Sequence, residues 1–343
     1  MSANLPVRPA AAGDLEDRAG APTSRRQALA LLAASPLAAS SLAWAQDDRA
    51  PIRLLCGLAP GTGNDLTARI VAERLSQVLH RPVTVDNRTG AGQRLALGEL
   101  RRAAPDGRTL ALATTGPFVI YPHIYQKLDY DPFKDFTPIG AVASFDVAIA
   151  AGPKTNARSM PELVAAARAN PDNAVFGSPG TGSLSHFVGI ALGLASKLEF
   201  THVPYKDSGL LQIDLAAGRL PIVITGESNL LEMSRSGRIR MLAVSGAQRS
   251  PVLPDVPTLV QSGINVSSAT TVGIFGPAGL PTELVRRINA AFSGATETAD
   301  ARAKLGRVAF APTHSTPEAL SAEIASEYQR FATLVKTSGY VAE

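Results

Sequence analysis

Two short stretches set glycines where backbone amides can meet an anion. Leu58-Ala59-Pro60-Gly61-Thr62-Gly63-Asn64-Asp65 and Gly177-Ser178-Pro179-Gly180-Thr181-Gly182-Ser183 each stand between a strand-like and a helix-like run. Glycine lets N–H groups converge with no side chain between them. A helix start adds donors without partners inside the helix, and a partial positive charge. Two such ends facing one cleft would hold the carboxylates of a small diacid through peptide dipoles, with closure of two lobes completing the site. Either stretch alone also serves as an ordinary tight turn. The pairing is what points to a ligand.

Other chemistries are poorly served. Gly61-Thr62-Gly63, with Asp86 ending the next strand, has part of a dinucleotide fingerprint, but Leu66 stands at the third glycine and Pro60 at the turn. A dinucleotide-binding enzyme using residues 58–65 is therefore the rival reading. His80, His123, His186, His202 and His314 show no metal-ligand spacing, and neither a Gly-x-Ser-x-Gly elbow nor a Gly-Lys pair occurs. No catalytic residue, metal or cofactor is predicted, so a binding protein is expected and not an enzyme. His186, on the helix after the second loop, either faces the cleft or is a capped surface histidine. Tyr205 and Lys206 follow a strand end and could line the site.

The loops need strands and helices to aim them. The pattern predicts strands at Ile52 to Leu58, Pro82 to Asp86 and Thr109 to Thr114, with helices at Asn64 to Leu79 and Leu95 to Ala103. It restarts with helix Met160 to Ala169, strand Ala174 to Gly177, helix Leu184 to Leu198, strand Phe200 to Val203 and helix Leu210 to Ala217. Strands Ile222 to Thr225 and Met241 to Val244 follow, and the chain beyond Pro281 reads as mostly helical. The alternation implies mostly parallel sheets covered on both faces. Two apolar crossings, near Ala141 to Ala150 and at Thr271 to Phe275, imply two lobes with a cleft between them. The expected division is 46–150 and 272–343 for the first lobe and 151–271 for the second.

The first 45 residues read as an address. Arg25-Arg26 precede the uncharged run Ala28 to Ala43, and Ala43-Trp44-Ala45 fits signal peptidase, predicting cleavage after Ala45. The paired arginines resemble a twin-arginine signal; an ordinary secretory signal is the alternative. Cys56, the single cysteine, follows Leu55 inside a strand, which favours a buried core thiol over a lipid anchor. The net charge of +4 is spread along the chain and aromatics are only 5%, which argues against nucleic acid as a partner.

Seven motifs in register resemble one family over the mature chain: the Bug-type extracytoplasmic solute receptors of tripartite tricarboxylate transporters. They are Pro51-Ile52-Arg53, Leu58-Ala59-Pro60-Gly61, Val85-Asp86-Asn87-Arg88 with Gly90-Ala91-Gly92, and Ala104-Pro105-Asp106-Gly107-Arg108-Thr109-Leu110. Asp131-Pro132-Phe133-Lys134-Asp135-Phe136-Thr137-Pro138, His202-Val203-Pro204-Tyr205-Lys206 and Leu253-Pro254-Asp255-Val256-Pro257-Thr258 complete the set. The resemblance implies an α/β, two-lobed type II periplasmic-binding-protein fold, a periplasmic location, and an organic acid held by main-chain amides and ordered water. It implies a monomer delivering that acid to transporter membrane subunits; a receptor reporting to a sensor kinase would look the same. By position, Ala59 to Asp65, Thr114-Thr115-Gly116 and Ser178 to Ser183 would line the site, with Asp207 and Thr225 near the far end of the ligand. Departures are Thr62 for a second glycine, Asp207 for glycine, Thr225 and Pro221 for aspartates, and Gln93-Arg94 for small residues. An acid at Asp207 would repel a carboxylate unless a cation intervened, and Arg94 is one candidate, unless it points into water.

Overall fold

The computed structural model describes residues 50–205 and 208–340, so the expected leader and its cleavage site lie outside the described residues. The described residues form one compact unit. Within it β1 (Ile52–Cys56), α1 (Gly63–Leu79), β2 (Val83–Asn87), α2 (Arg94–Arg101) and β3 (Thr109–Thr114) open a six-stranded sheet. Short α3 (Gly116–Val119) and α4 (Tyr121–Ile124) precede β4 (Phe136–Phe145), which leads through Asp146 directly into β5 (Val147–Ala151) of a second sheet. That sheet is completed by α5 (Met160–Ala169), β6 (Val175–Ser178), α6 (Leu184–Ser196), β7 (Thr201–Pro204), α7 (Ser208–Ala216), β8 (Ile222–Gly226), α8 (Leu231–Arg235) and β9 (Arg240–Val244). The chain returns through β10 (Thr270–Pro277) and ends in α9 (Thr282–Phe292), α10 (Ala299–Arg307), β11 (Ala311–Pro312) and α11 (Pro317–Ser338).

The strand orders are β11-β4-β10-β3-β1-β2 and β7-β6-β8-β5-β9. The expectation of mostly parallel sheets is corrected. β1 pairs in parallel with β2 and β3, and β6 with β7 and β8, but β10 lies antiparallel between β3 and β4, and β5 antiparallel between β8 and β9. The reason is directional. Strands joined through helices send their carboxyl ends toward the cleft, and a strand arriving from the other lobe starts at that edge and must run away from it. Val272 at the start of β10 pairs with Thr114 at the end of β3, and Val147 at the start of β5 with Gly226 at the end of β8. Thr271 to Phe275, where the chain returns from the second sheet, is also a central strand of the first.

Alternation along each strand splits the apolar residues between two faces. Ile52, Leu54 and Cys56 face one core with α1 and α9, and Leu55 faces the other with α2, α3 and α11. Cys56 is fully buried, and burial pushes its thiol above the ordinary range. β5 divides likewise, with Val147, Ile149 and Ala151 on one side and Ala148 and Ala150 on the other. Phe187 of α6 packs into the first lobe's core beside Phe331, their ring centroids 6.0 Å apart.

Within α6, Gly189 lets the Phe176 ring lie against the helix backbone; a Cβ there would sit 2.2 Å from the ring. Gly189→Ala is expected to lower the unfolding free energy by about 1–3 kcal/mol through overpacking, outweighing the gain in helix propensity. The midpoint of denaturant unfolding measures this.

Candidate functional site

Both glycine-rich loops are built by one device. Thr62 caps α1 and its Oγ1 accepts from the Asp65 N–H, while the Asp65 carboxylate reaches back to accept from the Gly61 N–H at 3.0 Å. Ser183 caps α6 and accepts from the His186 N–H, while His186 Nδ1 accepts from the Gly182 N–H at 3.2 Å. In each, the third residue of the helix fixes the glycine just before the cap. Gly61, Gly180 and Gly182 have φ of +80°, +89° and +75°, where other residues are strained.

These bonds leave the next amides free. The N–H groups of Gly63 and Asn64, and of Leu184 and Ser185, belong to first helical turns and have no partner among the described residues. Both helix starts border one hollow of about 510 Å³, lined by Gly61, Thr62, Gly63 and Asn64 on one side and Gly182, Ser183, Leu184 and Ser185 on the other. Thr114, Gly116 and Thr225 also line it. Thr114 is clamped by Gln93, whose Nε2 donates to its Oγ1 at 2.6 Å while the Thr114 N–H donates to Gln93 Oε1 at 3.1 Å.

Several predicted site residues lie outside the hollow. Ala59 and Pro60 are exposed, and Thr181 faces solvent. Asp65 is buried and braces the first loop: burial would raise its carboxyl, but Arg69, the Gly61 amide and Asn87 hold it below the ordinary range. Thr115 donates its N–H to Thr271 O. The Ser178 hydroxyl is bonded to His202 Nε2, and the half-buried Gly180 closes the turn by donating its N–H to Ser178 O. Tyr205 packs against the core of the second sheet and donates its hydroxyl to Asp214. Asp207 and Lys206 are outside the described residues.

His186 is neither in the cleft nor on the surface. It is buried behind the second loop, stacked on His202 with ring centroids 4.0 Å apart. Burial first, then the neighbouring ring, pushes it down to about 3, and burial brings His202 to about 4. Both are neutral, as acceptance from the Gly182 N–H requires. Arg94 does not line the hollow; its guanidinium lies 4.4 Å over the Tyr125 ring.

Residues that strand–helix reasoning missed add to the lining: Tyr121, Phe145, Val147, Val308 and Phe310 supply largely apolar wall, and Ser228 and Asn229 supply polar groups. Ser228 and Asn229 follow a strand end beside Thr225 and were accessible to the strand-end rule. Phe310 comes from the turn after α10, which no periodicity marks. Among the described residues, no Lys, Arg, His, Asp or Glu lines the hollow. The site can meet an anion through amide dipoles and enclose an uncharged body.

At the first crossing Asp146 meets a second acid, Glu227, which follows β8. Asp146 O accepts from the Glu227 N–H at 2.9 Å, and Glu227 Oε1 accepts from the Ser250 hydroxyl at 3.0 Å. Glu227 Oε2 is buried without a partner. Burial lifts Asp146 to about 6 against the Gly246 amide, and lifts Glu227 to about 7, with Asp146 adding to the shift.

The model of the "Tripartite tricarboxylate transporter family receptor" matches residues 67–340. A UPF0065 protein of Bordetella bronchiseptica is 34% identical over 259 residues, covering 76% of each chain. Among solved structures, an R. palustris protein with adipate superposes with a TM-score of 0.77 at 27% identity, covering 85% of this chain and 98% of its own. MatC from Rhodopseudomonas palustris with bound malate superposes at 0.74 and 27% identity, covering 83% of this chain and 99% of its own.

Carboxyls raised in the fold favour it fully below their unfolded value near pH 4, and that contribution is lost as pH rises through about 6 and about 7. Glu227→Gln is expected to lose less stability than the parent between about pH 5 and about pH 8. Melting temperature across that range reads the difference, and parallel curves would contradict it.

Proposed function

This chain belongs to the receptors of the tripartite tricarboxylate transporter family, a family of solute-binding receptors and not enzymes, and from that premise we propose that it captures a small carboxylate between its two lobes. The reading rests on one observation: two helix starts with unpartnered amides border the same uncharged hollow. Gly63 and Asn64 hold one carboxylate and Leu184 and Ser185 the other end of the guest, with Thr114 and Thr225 bonding alongside. The similar proteins solved with adipate and with malate support a carboxylate guest.

The protein works in the periplasm, reached by a twin-arginine leader removed after Ala45. Residues 46–150 with 272–343 form one lobe and 151–271 the other, and the monomer hands its guest to the membrane subunits of a tripartite transporter. In this reading the neutral His186–His202 pair and the Asp65 brace are supports, holding the loops so that the free amides stay aimed at the guest.

Thermal melts with di- and tricarboxylates, aromatic acids and acidic amino acids test the reading. A true guest at 100 times its Kd raises the unfolding free energy by about 2.7 kcal/mol, and no stabilisation by any member would contradict it. Gly182→Val adds a branched side chain at φ +75°, where even a Cβ would lie 2.2 Å from Ile124. Its affinity is expected to fall at least about tenfold, or about 1.4 kcal/mol, with the circular dichroism spectrum retained.

A further inference from the structure

Resting on the reading of the hollow as a carboxylate site, we infer that its guest is a 2-hydroxy carboxylate whose hydroxyl is read by the Asn64 side chain. Asn64 is the second residue of α1 and Ser185 the second residue of α6, and both line the hollow, at 7% and 3% exposure. Neither side chain makes a hydrogen bond among the described residues. Asp65 and His186, one position further along, are by contrast spent on bracing their own loops.

Donors and acceptors are unequal in this lining. A carboxylate only accepts. Thr114 and Thr225 already accept from Gln93 and Asn229, and each keeps a hydroxyl proton to give; the Ser185 hydroxyl can donate as well. The Asn64 amide differs. Its Nδ2 can donate to a carboxylate oxygen, but its Oδ1, buried and without a partner, cannot be met by one. A buried acceptor facing an acceptor-only guest stays unpaired, so a guest that also brings a donor binds better. Rotation about χ2 exchanges the two ends of the amide without breaking any other bond, and a hydroxyl, both donor and acceptor, suits either end.

The place of that donor follows from the chain. The Asn64 N–H is itself one of the free amides at the start of α1. In a helix the Cα–Cβ bond tilts toward the N-terminus, so the short Asn64 side chain leans toward the carboxylate its own N–H holds. It reaches only the atoms beside that carboxylate, which puts the hydroxyl on the adjoining carbon. An ammonium on the same carbon would bring a charge and three donors, and no Asp or Glu among the described residues lines the hollow to meet them.

Isothermal titration of the mature protein with matched pairs tests this: malate and succinate, citrate and tricarballylate, lactate and propionate, mandelate and phenylacetate. In every pair that binds, the hydroxy acid should bind at least about tenfold tighter than its partner, and malate at least about tenfold tighter than aspartate. An unsubstituted acid binding as tightly as its hydroxy partner, or aspartate as tightly as malate, overturns the inference and leaves the carboxylate reading standing. Absence of binding by every acid overturns both. Asn64→Leu, similar in size and without polar side-chain atoms, keeps the backbone N–H and should shrink the preference within a pair to about threefold or less. Asn64→Ala is a second, smaller variant with the same expectation. An unchanged preference in either, with melting of the empty protein confirming its fold, removes Asn64 as the reader.

Discussion

The first three N–H groups of an α-helix have no partner within it, and this geometry governs the molecule's site. α1 and α6 each start at the carboxyl end of a parallel strand, where an anion can be met by amides. What the loops add is discipline. Thr62 with Asp65, and Ser183 with His186, consume the amides that would otherwise point elsewhere and leave Gly63, Asn64, Leu184 and Ser185 open. An acid can serve in one loop and a neutral histidine in the other because each needs only an acceptor. Neither touches the hollow, so the repulsion an acid near a guest would cause is avoided.

The same directionality orders the fold. Strands linked through helices end at the cleft, and the strands that pass between lobes begin there, which forces the mixed sheets. Asp146 alone separates β4 from β5, so the first crossing has almost no slack. Its acid faces the packed Gly246 backbone and neighbours Glu227, a crowded place where ionisation is disfavoured.

Much of this was legible in the residues. Thr109 to Thr114 and Met160 to Ala169 match the structure at both ends, because a β-rich run after Pro-Asp-Gly and a Ser-capped, alanine-rich stretch leave little ambiguity. The glycine loops were found because their unusual backbone demands unusual composition. Their internal wiring was not, since side chains of Asp65 and His186 turning back on their own loops leave no periodic trace. The antiparallel insertion of β5 and β10 was hidden for a similar reason: an apolar run reports burial and is silent about direction. Phe310 was invisible because it reaches the hollow from a turn after α10, distant in sequence from both loops.

Phe187 belongs to a helix of the second lobe yet lies fully buried in the first lobe's core, against Phe331. Drawing α6 away from α11 would wet this ring, at a cost of about 1.5–3 kcal/mol if its exposure becomes complete. The strands that link the two sheets are thus backed by apolar packing between a helix of one and the core of the other.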